Sequence, residues 1–110
     1  MIYDTNTIDI MANKRDDNSV DMFIISSGAI DDSEETQTLL LDKIENYFRY
    51  KLSDDFKESF PNADPNKVTI ILMLQEKAPD LLMQLCEKIV PWAEENNAKF
   101  SVICNDEILL

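Results

Sequence analysis

From Val68 to Leu74 every residue except Thr69 is apolar. The run is far shorter than the ~20 residues needed to span a bilayer, and it lacks the alternation of a strand with one wet face. It reads as a central strand, Lys67 to Leu74, covered on both sides. A chain holding such a segment must supply layers to bury it. With one glycine, Gly28, and four prolines, the remainder favours regular elements joined by short polar turns. An apolar fraction of 45% is enough for a core and argues against disorder. The 110 residues fit a single domain, 1–110.

Upstream, Thr7 to Ala12 alternates weakly as a short strand, Lys14 to Ser19 is a polar turn, and Val20 to Ser26 is a stronger strand. Together they predict a β-hairpin. Asp31-Asp32-Ser33-Glu34-Glu35 is a helix start, because Asp32 and Glu35 have capping-box spacing and carboxylates complement the dipole of a first turn. Leu40, Ile44, Tyr47 and Phe48 then form an apolar stripe, with Asp42, Glu45, Asn46 and Arg49 on the wet side. That helix is expected to end at about residue 51. Ser53 caps a further helical turn stopped at Pro61, and Asn62 to Asn66 is a turn by composition. Pro79 suits the first position of another helix, whose expected buried face is Leu81, Leu82, Leu85, Ile89 and Trp92. Pro91 has no N–H and predicts a kink. Asn96-Asn97 suits the left-handed conformation that ends a helix. Phe100 to Cys104 is the last strand, and Ile108-Leu109-Leu110 is an apolar tail.

The order is β-β-α-β-α-β. Two helices with one apolar stripe each fit side by side on one face of a four-stranded mixed sheet, a two-layer α+β domain. The opposite sheet face would carry Phe23, Ile25, Ile71, Met73 and Ile103. A face that apolar calls for cover by the tail, a second copy or a partner. Cys86 and Cys104 lie in apolar stretches and read as core thiols rather than a disulfide. No charged segment followed by an apolar one opens the sequence, so a cytoplasmic location is expected, with no membrane anchor.

Several stretches resemble a family of small bacterial domains of uncharacterised function. They are Asn6-Thr7-Ile8-Asp9-Ile10, the strand Val20 to Ser26, the helix Leu39 to Tyr47, and Phe60-Pro61-Asn62-Ala63-Asp64 before a strand. The likeness spans residues 5–104 and consists of core and turn positions, so it implies a fold and no activity or functional residues. The chain departs from it at Asn96-Asn97-Ala98, where relatives tend to carry glycine. In size, acidity and α+β make-up, the chain also looks like the immunity proteins that neutralise bacterial toxins, such as those of contact-dependent inhibition.

Against 22 Asp and Glu stand 10 Lys and Arg, a formal charge of −12, and there is no histidine. Such a field repels nucleic acid and anionic lipid and attracts a basic partner. Lack of histidine removes the imidazole base and ligand on which most triads and zinc sites depend. One glycine rules out glycine-rich phosphate loops. Asp16-Asp17, Asp31-Asp32 and Asp54-Asp55 lack the calcium-loop pattern around them. No enzyme activity, metal or cofactor is therefore expected.

The reading that remains is an acidic immunity or inhibitor protein that occludes a cognate basic toxin domain, a nuclease by preference because a nuclease must hold phosphates. Its expected contact residues are Asp31, Asp32, Glu34 and Glu35 at one end of the first helix and Asp54, Asp55 and Glu58 past the other. Tyr50, with Tyr47 and Phe56, would be a desolvated anchor between them. The rival is a self-associating structural or housekeeping module, non-enzymatic, that forms a homodimer through the second sheet face.

Overall fold

The computed structural model describes residues 10–14, 18–26 and 30–110. The strands are β1 (Ile10–Lys14), β2 (Ser19–Ser26), β3 (Val68–Leu74), β4 (Ala98–Cys104) and β5 (Glu107–Ile108), and the helices are α1 (Glu34–Lys51), α2 (Asp54–Ser59) and α3 (Asp80–Glu95). The sheet order is β1-β2-β3-β4-β5. β2, β3 and β4 are parallel, while β1 runs antiparallel to β2 and β5 antiparallel to β4. The expected α+β domain with a four-stranded mixed sheet is therefore present. To it are added the short α2, where one helical turn was read, and a two-residue fifth strand.

Alternation along the strands sorts the side chains into two layers. Val20, Met22 and Ile24 of β2, Val68, Ile70, Leu72 and Leu74 of β3, and Ala98, Phe100 and Val102 of β4 face the helices. They share one core with Leu40, Ile44, Tyr47 and Phe48 of α1 and with Leu82, Cys86, Ile89 and Ala93 of α3. Phe48 meets Trp92 edge-on at 5.0 Å, which sets α1 beside α3 on that face. The Tyr47 hydroxyl donates to the Phe23 carbonyl at 2.9 Å and ties the middle of α1 to β2.

The ends of the elements follow local chemistry. Ser33, not Asp32, caps α1: its hydroxyl accepts from Thr36 N–H at 3.2 Å. Ser53 caps α2 as expected, accepting from Phe56 N–H at 3.2 Å. Pro79 occupies the cap of α3, one position before the expected one, and the helix continues through Pro91 to Glu95. Asn97 then takes φ 57°, the left-handed geometry read for this pair.

Three expectations shift. The weak strand at Thr7–Ala12 begins outside the described residues, and β1 reaches Lys14, which pairs with Ser19. The stripe of α3 is turned by about one residue: Leu82, Cys86, Ile89 and Ala93 point into the core, Leu85 and Trp92 are half-buried, and Leu81 is 50% exposed. Flanked by α1 on one side, α3 buries two edges unequally. Finally, the tail does not lie across the second sheet face. Asn105 and Asp106, both at positive φ, make a tight turn of the kind two-residue hairpins require. The chain then runs back along the edge of β4, where Leu109 N–H donates to the Val102 carbonyl at 2.8 Å.

Candidate docking surface

Helical spacing brings one side of α1 and one side of α3 to the outside. On these two helices the exposed charged residues are Glu34, Glu35, Asp42, Glu45, Asp80, Glu87, Glu94 and Glu95, against Arg49 and Lys88. α2 adds exposed Asp54, Asp55 and Glu58, with Lys57. One of those cations is already committed, since Arg49 donates to Glu45 at 2.7 Å.

Two further cations have been withdrawn from the surface. Lys43 is fully buried, with its ammonium 5.6 Å from the centroid of the Tyr47 ring. Lys51 is 2% exposed and donates to the Pro65 carbonyl at 2.8 Å. Burial pushes the Lys51 ammonium below the usual lysine range, and nearby Asp64 partly restores it. The helical exterior is thus more negative than composition alone conveys, because basic residues of α1 serve the interior.

The acidic residues singled out in the sequence fall into two groups. Asp31, Asp32, Glu34 and Glu35 are exposed at the amino end of α1, and Asp54, Asp55 and Glu58 are exposed past its carboxyl end. The 18 residues of α1 hold the groups about 27 Å apart at 1.5 Å per residue. Asp31 already has work within the chain: its carboxylate accepts from the backbone and hydroxyl of Ser33 and from the Thr36 hydroxyl. Those bonds, Thr36 first, hold it below the usual carboxylate range.

Tyr50 is half-buried, edge-on to Phe56 with centroids 5.8 Å apart. Tyr47 and Phe56 are core residues at 0% and 1% exposure, which corrects their reading as anchors for a partner. What joins the two acidic ends is Asp42 and Glu45, which the sequence placed on the wet side without assigning them to the surface. The acids of α3, Glu87, Glu94 and Glu95, were missed entirely; their offsets of one and two residues from the buried Cys86 and Ala93, which turn a helical side chain away from the core, were the available signal.

Clefts open on the described part. One, of about 230 Å³, lies in the seam between α1 and α3, lined by Glu45, Phe48, Arg49, Leu52, Trp92 and Asn96. Another, about 590 Å³, lies at the amino ends of the parallel strands among Ser19, Asn66, Lys67, Thr69, Glu94, Asn97 and Lys99. The parallel strands stand in the sheet in chain order, so no reversal of direction opens the crevice in which open α/β sheets usually bind ligands. Among the described residues no cluster of acids and thiols is arranged to hold a metal ion. The buried Cys86 thiol is pushed up to about 12, by burial first and then by Glu87, and carries no thiolate near neutrality. Surface rather than cavity dominates this exterior.

The chain belongs to the family of unknown function DUF6572. That family's pattern matches residues 1–106, nearly the whole chain. No curated protein and no solved structure matches. DUF6572 membership agrees with the resemblance to small uncharacterised domains seen in the sequence. Among the described residues no helix is long and apolar enough to cross a membrane.

Proposed function

We propose that this DUF6572 chain is a non-catalytic binding protein whose helical layer covers a basic protein domain, in the manner of an immunity protein on its toxin. The observation that supports this is the segregation of charge. Eight exposed carboxylates against two cations share the outer sides of α1 and α3, and lysines of α1 are turned inward. A layer so arranged steers a cationic surface toward itself and rejects anionic ones. A nuclease toxin fits this chemistry because a phosphate-holding site is a patch of Lys and Arg. Asp42 and Glu45 form the centre of the contact, with the groups at Asp31–Glu35 and Asp54–Glu58 as its two ends.

The test is co-expression of the full chain with the products of adjacent reading frames. The expected result is a 1:1 complex with a basic domain whose association rate falls about tenfold or more as salt shields the charges. Asp42→Lys with Glu45→Lys, away from every core contact, should weaken it by at least about tenfold. A partner without a basic surface, or a complex indifferent to both salt and the double reversal, overturns the reading.

A further inference from the structure

The cleft in the seam between α1 and α3 lies within the acidic layer, and its walls are chemically mixed. Phe48 is buried and meets Trp92 edge-on at 5.0 Å, so the aromatic surface the cleft offers is that of the half-buried indole. Leu52, 69% exposed, gives it an apolar rim, and Glu45 gives it a carboxylate. Asn96 completes the wall, its side-chain amide donating to the Trp92 carbonyl at 2.9 Å. At about 230 Å³ the cleft is smaller than the ~300–1,000 Å³ of small-molecule sites. It suits a single long side chain.

The electrostatics of the two helices decide what kind. Leu52 caps the carboxyl end of α1 and Asn96 that of α3, so both helices end at this cleft. A helix carboxyl end carries partial negative charge and favours cations. α1 follows that rule, with Arg49 and Lys51 in its last turn. α3 breaks it: its last turn holds no basic residue and carries exposed Glu94 and Glu95 instead. Glu95, three residues on from Trp92, shares the surface of that turn. Anionic groups at a negative helix end destabilise the free chain, and a cation brought from outside relieves them.

We infer that this cleft receives an arginine side chain of the basic partner, its guanidinium against Trp92 and Glu45 and its stem along Leu52. The inference rests on the proposed function and names the anchor of that contact. Arginine fits better than lysine because a planar guanidinium stacks on an aromatic ring while forking a carboxylate, and indole is the best ring for such contact. Its methylene stem covers apolar surface on the way in. Arg49 occupies the same carboxylate from within the chain, donating to Glu45 at 2.7 Å. Both residues are exposed, and an exposed pair of this kind holds weakly. The partner's guanidinium therefore takes over Glu45, and Arg49 turns to solvent.

Titration of the isotope-labelled full chain with N-acetyl-arginine amide, and in parallel with N-acetyl-lysine amide at the same ionic strength, tests this. The resonance of the Trp92 indole N–H reports it, since the chain has one tryptophan. The expected result is a saturable shift with a dissociation constant on the order of 1–10 mM for the arginine compound, and a constant several-fold larger for lysine. Glu45→Gln should raise the arginine constant several-fold, and Arg49→Gln should lower it several-fold. Glu58→Gln and Lys57→Gln, the same changes of charge on α2, should leave it within about twofold. A shift that does not saturate, equal constants for the two compounds, or α2 variants as effective as those in the seam each overturn the inference. The titration needs no partner. A basic partner that binds the helical layer while the seam fails this titration overturns the inference and leaves the proposed function standing. If the arginine compound saturates the seam while no basic partner associates, the proposed function falls and the seam remains an arginine site.

Discussion

The outer side of the helices and the open side of the sheet are both half-built surfaces, yet they were made by opposite uses of charge. On α1 and α3 the exposed charged residues are eight carboxylates against two cations, and lysines of α1 that would dilute the field are folded under. On the sheet, alternation puts Thr69, Ile71 and Met73 outward between residues that face the helices, and among the described residues of β2, β3 and β4 the carboxylate is that of Asp21, itself buried. A helix can keep a wet side because it buries only a stripe. A central parallel strand has no wet side to give, so its second face stays apolar unless something covers it. Long-range attraction belongs to the first surface and short-range packing to the second.

The sharpest break of that contrast is chemical. Cys86, sealed between sheet and helices with its thiol pushed up to about 12, should resist a thiol reagent at neutral pH for as long as the chain stays folded. Half-buried Cys104, at the end of β4, should react by orders of magnitude faster. Two fast thiols in native buffer would mean that the helical layer opens readily. Next in size, the two sides of the sheet should differ in urea melts. Leu72→Ala, on the helix side at 0% exposure, should cost about 2–5 kcal/mol. Ile103→Ala, on the open side, should cost only about 1 kcal/mol in the dilute chain. Equal losses would show the open face to be as deeply packed as the core.

Smaller effects sharpen the account of the acidic side. Ser33→Ala and Ser53→Ala each remove a cap and should lower stability by about 1 kcal/mol, visible as a lower urea midpoint at unchanged slope. The least change concerns Asp31. Its folded carboxyl sits below 3.8, so the stabilisation it brings is complete above that value and is lost as pH falls through the folded pKa. The carboxyl carbon shift of Asp31 should titrate below 3.8 in the native chain and return toward it in Thr36→Val. An unchanged midpoint in that variant would remove the hydrogen bond as the cause.

Much of this was readable from the residues. The stripe of Leu40, Ile44, Tyr47 and Phe48 fixed α1, the run from Val68 fixed β3, and Ser53 announced α2. What escaped reading depended on neighbours far off in sequence. Whether Leu81 or Cys86 faces the core is decided by where α1 lies against α3, which the pattern of α3 alone does not contain. The hairpin at Asn105-Asp106 lacks the glycine that marks such turns, since two residues tolerant of positive φ replaced it. The burial of Lys43 and Lys51 was not foreseen, since a buried lysine is rare and only the tertiary partners, the Tyr47 ring and the Pro65 carbonyl, make those positions tenable. On the candidate surface, clustering drew attention to Asp31–Glu35 and Asp54–Glu58, whereas Asp42, Glu45 and the acids of α3 become one surface only once two helices lie side by side.

The chain has one tryptophan, and the fold seats it half-buried in the seam between α1 and α3, against Phe48. Its ultraviolet emission is thus a native optical probe of one side of the molecule: a guest settling over the helices alters its colour, with no dye attached.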